Sequence, residues 1–254
     1  MLVDTHAHLQ DRVFAPDQDE VIARAVGAGI GRIVNVGYDR SSSEQAVLLA
    51  RGHKEIFAAV GTHPHDAVSW EADSVGHLRV LAREKKVVGI GEIGLDYHRN
   101  LSPKSAQRQA FIAQIELAKE LSLPIIVHSR EATEDILAVL ENYQGLRGVI
   151  HCYSGTRAQA EKFLDLGYYL GITGIVTFPQ AGELQAVVTT VPLTKLLVET
   201  DAPYLAPQSS RGRRNEPGYV VEIAAKIADL KKADPADVAK QTTLNAEELF
   251  RFGE

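Results

Sequence analysis

Eight short apolar runs alternate with longer amphipathic segments along the 254 residues, and this alternation constrains the fold more than any other feature. The runs are "LVDTH", "RIVNVG", "IFAAVG", "VVGIGEIG", "PIIVH", "GVIHC", "YYLGI" and "LLVET". Each is rich in Val, Ile, Leu or Phe, and most are bounded by Gly, Pro or polar residues, as strands are. Near-continuous apolar character suits parallel strands covered on both faces. The intervening segments carry helical spacing. Over residues 105–121, for example, Phe111, Ile115 and Ala118 share one face. Residues 71–86, 130–141 and 156–166 read the same way, and Gly27 and Gly29 suit the end of the first helix. Two closing helices are expected over 219–232 and 235–250, the second capped by Asp234 with Pro235 at its first position.

No linker, repeat or composition break divides the chain, so it reads as one domain over residues 1–254. Eight βα units in this length match an α/β fold of the (β/α)8 TIM-type barrel kind, with the active site at the C-terminal ends of the strands. An open doubly wound sheet is the alternative. The first strand–helix junction lacks the G-x-G-x-x-G of a dinucleotide site.

Polar residues gather where such a barrel would use them. His6 and His8 end the first run; His63 and His65 follow the third in "GTHPH"; Glu92 lies in the fourth. His128 ends the fifth, His151 the sixth, and Glu199 and Asp201 the eighth. Six of the nine histidines therefore fall at strand ends, which all point to one face in a parallel barrel. Residues two apart on a strand share a face, so His6 pairs with His8 and Glu199 with Asp201. Buried carboxylates without cations are costly, and a divalent metal removes that cost while keeping the imidazoles neutral. Imidazole and carboxylate without thiolate suit Zn²⁺, Mn²⁺, Fe²⁺, Ni²⁺ or Co²⁺, with Mg²⁺ admissible where phosphate helps. Six ligands are many for one open ion; two ions bridged by Glu92 fit better.

The remaining candidates carry less. His63 is expected to contact substrate or a metal-bound phosphate or to serve the structure, and His65 to be structural. Asp4, on the face of His6 but deeper, is expected to back a ligating histidine, a role also open to Glu199. Cys152 should face away from His151 as a small buried hydrophobe. His53 and His77 are expected to face solvent, and His98 lies in the loop after the fourth strand.

The net charge of −6 and pI of about 5.9 do not resemble a basic nucleic-acid coat protein. A polyanionic substrate would be held locally. Arg211, Arg213 and Arg214 follow Asp201 closely, and Arg130 follows His128, so Arg130, Arg211 and Arg213 are candidate phosphate contacts. Tyr97, Tyr153 and Tyr204 lie near the expected mouth, where they could stack bases or simply pack, and Tyr153 is counted among the candidate substrate contacts. One cysteine permits no intrachain disulfide and suits a reducing compartment. No secretory leader pattern and no apolar run long enough to span a bilayer is seen. A cytoplasmic monomer without membrane association is expected.

"DTHAHL", "GTHPH", "GEIGLDYH", "PIIVHSR", "HCYSG", "ETDAPYLAP" and "RGRRNEP" together resemble the TatD family of metal-dependent deoxyribonucleases, one of the amidohydrolase-like barrels. The resemblance runs in order from residue 2 to the closing "NAEELF". It implies one metal held by His6, His8, Glu92 and Asp201, and a second held by Glu92, His128 and His151. Arg213 stands where the family pattern has lysine, and Gln10 where an acid often follows the opening H-x-H-L.

The expected activity is that of a metal-dependent phosphodiesterase using metal-activated water. Asp201 would accept a proton, Glu92 would bridge the ions, and Glu199 and His63 would orient these groups or the phosphate. The resemblance alone implies a 3′ to 5′ exonuclease on single-stranded DNA. The alternatives are an ester or amide hydrolase, such as a D-aminoacyl-tRNA deacylase with aminoacyl-tRNA or RNA as partner, and a non-enzymatic scaffold with a residual metal site.

Overall fold

The computed structural model describes residues 1–253. Its strands are β1 (Leu2–Ala7), β2 (Ile30–Val36), β3 (Ile56–Val60), β4 (Val87–Asp96), β5 (Ile125–Arg130), β6 (Gly148–Ile150), β7 (Tyr169–Ile172) and β8 (Leu196–Val198). All neighbouring pairs are parallel and follow chain order from β1 to β8. A parallel bridge between Ala7 and Ala202, with Asp201 N donating to His6 O at 2.8 Å and His8 N to Ala202 O at 2.7 Å, brings the two edges together. The result is a nearly closed (β/α)8 barrel.

Helices α1 (Gln18–Gly27), α2 (Arg40–Gly52), α3 (Ser74–Leu81), α4 (Lys104–Leu121), α5 (Thr133–Leu140), α6 (Arg157–Asp165), α7 (Gly182–Thr190) and α8 (Val220–Lys231) join or follow the strands, and α9 (Pro235–Phe250) closes the described chain. Strand residues alternate between two apolar groups. Leu2, Ile33, Ala58, Ile90, Ile125 and Leu170 pack with the helices. Val3, Val34, Phe57, Val88, Ile126 and Leu197 form a separate cluster with Leu249 and Phe250 of α9, so the barrel's interior is a packed core with α9 against it.

The element boundaries shift where tertiary pairing outcompetes helical spacing. Arg130 does not open a helix: it pairs with Asp96 in the β4–β5 ladder, and α5 starts only at Thr133. The helix expected over 71–86 shortens to Ser74–Leu81 because the chain turns at Glu84 into β4. The α9 start matches its signal, since the Asp234 side chain accepts from Ala236 N and Pro235 is the first helical residue.

Two irregularities place the polar residues. In β1, Asp4 pairs with Ile33 but Ala7 with Asn35; in β4, Ile90 pairs with Ile125 but Ile93 with Val127. Each bulge inserts one residue and re-aims the side chains beyond it. Asp4 therefore does not back the His6 ring as expected. It accepts from Thr200 N at 2.9 Å and Thr200 Oγ1 at 2.6 Å, and from the His6 backbone N–H, pinning the end of β8 to β1. Burial pushes its carboxyl up to about 8 against these hydrogen bonds.

Candidate metal centre

Five histidines and two carboxylates converge at the C-terminal mouth of the barrel. His6 and His8 leave β1 with their Nε2 atoms 3.2 Å apart. Glu92 Oε2 lies 3.5 Å from His6 Nε2 and 3.8 Å from His8 Nε2, and Asp201 Oδ1 lies 3.3 Å from His8 Nε2. Glu92 Oε1 faces the other side, 2.8 Å from His128 Nδ1, 3.6 Å from His63 Nε2 and 3.9 Å from His151 Nε2. His151 Nε2 is 3.8 Å from Asp201 Oδ1, and its ring stacks on His6 at 3.5 Å. Nitrogen and oxygen atoms about 2.1 Å from a shared tetrahedral centre lie roughly 3.4 Å apart, so these spacings fit a cation. The His6 Nδ1 atom is buried without a hydrogen-bond partner, while its Nε2 joins the convergence. The donor set therefore fits divalent ions.

The outer contacts fix how each ring presents itself. His8 Nδ1 donates to Val36 O at 2.7 Å, which turns its Nε2 lone pair inward. His151 Nδ1 lies 2.8 Å from Glu199 Oε1. Glu199 is fully buried, takes the Cys152 N–H at 2.6 Å and contacts Thr5 Oγ1 at 3.4 Å. It thus sits behind His151 rather than in the mouth. At Gly171 any Cβ would overlap the Glu199 carboxylate, so the glycine makes room for it. His63 Nδ1 accepts from His65 N at 3.1 Å, so in the neutral ring Nε2 carries the proton and faces Glu92 as a donor.

Electrostatics follow from crowding. Burial, reinforced by His151, holds the His6 imidazole below its ordinary value, and burial holds His63 well below. Burial also lowers His151, but Glu199 and Glu92 outweigh it and push it up to about 10. Burial would raise Glu92; the surrounding His63, His151, His128 and His6 hold it well below the usual carboxylate range.

Asp96 is a site residue that sequence reading passed over. Its Oδ2 lies 3.1 Å from His128 Nε2 and 2.8 Å from His65 Nε2, and Oδ1 accepts from Arg99 N at 2.7 Å. The signal was present: Glu92, Gly94 and Asp96 alternate on one face of β4. His65 thus spends its ring on Asp96, edge-on to His63. His98 is exposed and pairs with Glu131 at 2.7 Å, away from the ligand set. His53 and His77 lie outside it too, near Asp19 and Glu44. Cys152, at positive φ, keeps a thiol pushed up by burial beside Thr173 and offers no nucleophile.

The expected substrate contacts divide. Arg130 and Arg213 are exposed, and the Arg211 guanidinium lies over the Phe178 ring at 4.8 Å. Tyr153 is only 3% exposed, packs on Phe163 and donates its hydroxyl to Thr156 O. Its ring is covered by protein, so it offers no open face for stacking a base. Tyr97 is tied to Asp135 and covered by Lys104. Tyr204 is 53% exposed, 6.2 Å from the His8 ring, with its hydroxyl on Asp11.

A parallel barrel with this imidazole–carboxylate centre defines a metal-dependent hydrolase. Residues 3–251 match the family model described as TatD related DNase, and the chain belongs to that family. It is 43% identical over 254 residues to the uncharacterized metal-dependent hydrolase YabD of Bacillus subtilis (strain 168), covering 99% of this chain and 100% of that one. It is 40% identical over 256 residues to the 3′-5′ ssDNA/RNA exonuclease TatD of Citrobacter rodentium (strain ICC168), covering 98% and 97%. The crystal structure of YJJV, a TatD homolog from Escherichia coli K12, superposes with a TM-score of 0.94 at 31% identity over 98% of both chains. An organophosphorus hydrolase from Deinococcus radiodurans shares the fold at TM-score 0.69 and 16% identity. No helix among the described residues is long and apolar enough to cross a membrane.

Proposed function

We propose that the protein is a two-metal exonuclease that shortens single-stranded DNA or RNA from the 3′ end. The observation that carries this reading is the Glu92 carboxylate, with one oxygen facing the His6–His8 pair and the other facing His128. His6, His8, Glu92 and Asp201 would hold one ion, and Glu92, His128 and His151 the other. Bound divalent ions supply an acidified water and neutralise the phosphate oxygens. Asp201, with its side chain more open to the mouth than that of Glu92, accepts the proton of the attacking water. His63 donates its Nε2–H to a phosphate oxygen or to that water, and Glu199 keeps the His151 ring turned toward the centre. Arg130, Arg211 and Arg213 neutralise the strand, and the exposed Tyr204 face offers a stacking surface beside His8. Polarity and substrate rest on the relative named as a 3′-5′ ssDNA/RNA exonuclease.

The test uses metal-stripped protein and single-stranded DNA labelled at either end, with and without Mg²⁺ or Mn²⁺, beside Glu92→Ala. Stepwise, metal-dependent loss from the 3′ end that disappears in the variant supports the reading. A metal-loaded wild type that leaves DNA and RNA intact but cleaves an aminoacyl ester overturns it in favour of ester hydrolysis.

A further inference from the structure

His128 differs from its neighbours in how its ring is held. His8 is fixed through Nδ1 by a backbone carbonyl, and His151 has Nδ1 against Glu199, so both present Nε2 to the centre. His128 is reversed: Nδ1 faces Glu92 at 2.8 Å, and Nε2 faces Asp96 at 3.1 Å. Asp96 is fully buried and locked from three sides. Arg99 N–H occupies Oδ1, the Asp96 backbone N–H donates to Gln107 Oε1 at 2.9 Å, and Oδ2 meets both His128 and His65. A carboxylate with one oxygen engaged by a backbone donor leaves the other to accept from imidazole N–H groups. Only the tautomer with a proton on Nε2 satisfies that oxygen and leaves Nδ1 with a free lone pair.

We propose that Asp96 is a positioning residue that makes His128 an Nδ1 metal ligand, with His65 as the second donor holding the same carboxylate oxygen in place. The inference rests on the two-ion reading above and deepens it. Asp96→Asn is the informative change because it keeps the shape and inverts the hydrogen-bond logic. If the amide oxygen stays on Arg99 N–H, the NH₂ group faces His128 Nε2, which must then accept and move its proton to Nδ1. If the amide flips, Arg99 N–H loses its acceptor. The first arrangement opposes ligation through Nδ1; the second keeps the Nε2 proton but sets the amide NH₂ against the Arg99 N–H, donor to donor, and so loosens the hold on the ring.

Calorimetric and competition titrations with Zn²⁺ on the full chain read this directly. The wild type should take up two equivalents. Asp96→Asn should bind the second about ten- to a hundredfold more weakly with the first unchanged, and His65→Gln, which keeps a side-chain donor, should retain both. An Asp96→Asn protein with two equivalents at wild-type affinity overturns the proposal, as does His65→Gln weakened as much as Asp96→Asn. Nitrogen chemical shifts of His128 in the wild type decide independently of any variant's folding. A proton on Nε2 with Nδ1 at the metal supports the assignment, and the reverse overturns it. Uptake of a single equivalent by the wild type sinks the two-ion reading. The tautomer of the neutral His128 ring still tests Asp96 in that case.

Discussion

Glu92 and His128 stand 2.8 Å apart, Oε1 to Nδ1, while the other Glu92 oxygen is 3.5 Å from His6, so one carboxylate spans both halves of the cluster. Five imidazoles surround the two carboxylates at the mouth, and the groups that lower Glu92 most are His63, His151, His128 and His6. A cation is the natural complement to that arrangement.

On the two-ion reading proposed above, Glu92→Gln should disturb both ions at once. An amide keeps the volume but loses the charge and one acceptor oxygen. Metal affinity should fall more than the ten- to hundredfold typical of losing an outer contact, so by over about 100-fold, with hydrolysis falling alongside. Metal analysis after dialysis checks it, and two retained equivalents with full turnover would refute the bridging role.

Glu199→Gln should act at one remove. Glu199 does not reach the mouth; it sits on His151 Nδ1 and the Cys152 N–H. Turnover should drop by roughly 10- to 100-fold, with KM for the nucleic acid little changed. A variant whose KM rises while kcat is preserved would instead place Glu199 at the substrate.

Gly94→Ala should be more damaging than its size suggests. Gly94 has φ of 144° and lies between Glu92 and Asp96 on β4. An added Cβ would overlap the His128 carbonyl across the β4–β5 ladder. Backbone strain plus displaced pairing should cost about 3 kcal/mol or more and misplace His128. Thermal unfolding and metal content together check this; an unshifted Tm would sink it.

Much of the cluster was legible because most of its polar side chains end apolar runs, and strand ends of a parallel barrel share a face. His6, His8, His128, His151 and Asp201 could be gathered on that rule, and Glu92 by its place as the one charged residue within the fourth run. Asp4 was misjudged because simple alternation ignores the extra residue between Asp4 and Ala7. The burial of Tyr153 was not legible, because a residue two past His151 can turn into the core and only packing against Phe163 shows it. The arginine loop was legible as a cluster, but not which of its arginines is tied down, since Asp17, one of the two carboxylates on Arg214, lies 197 residues away.

Arg213 and Arg214, adjacent in the chain, should respond to substitution in opposite ways. Arg213 is exposed, whereas Arg214 makes two 2.7 Å contacts to the Asp17 carboxylate and a third, at 2.8 Å, to Glu216. Arg213→Ala should raise KM and flatten the salt dependence of binding by about 0.7 in log–log slope, the share of one phosphate contact on a single strand, without moving Tm. Arg214→Ala should lower Tm and leave that slope alone. Its pH signature follows from Asp17, which Arg214, aided by Arg24, holds down from 3.8 to about 2. A depressed carboxylate stabilises the fold above its unfolded value and loses that contribution as pH falls through the folded one. The Tm gap between wild type and Arg214→Ala should thus be full above about pH 4 and close as pH approaches 2. A gap that persists unchanged to pH 2 would mean that Arg214 stabilises through its 4.7 Å stacking on Phe14 rather than through Asp17.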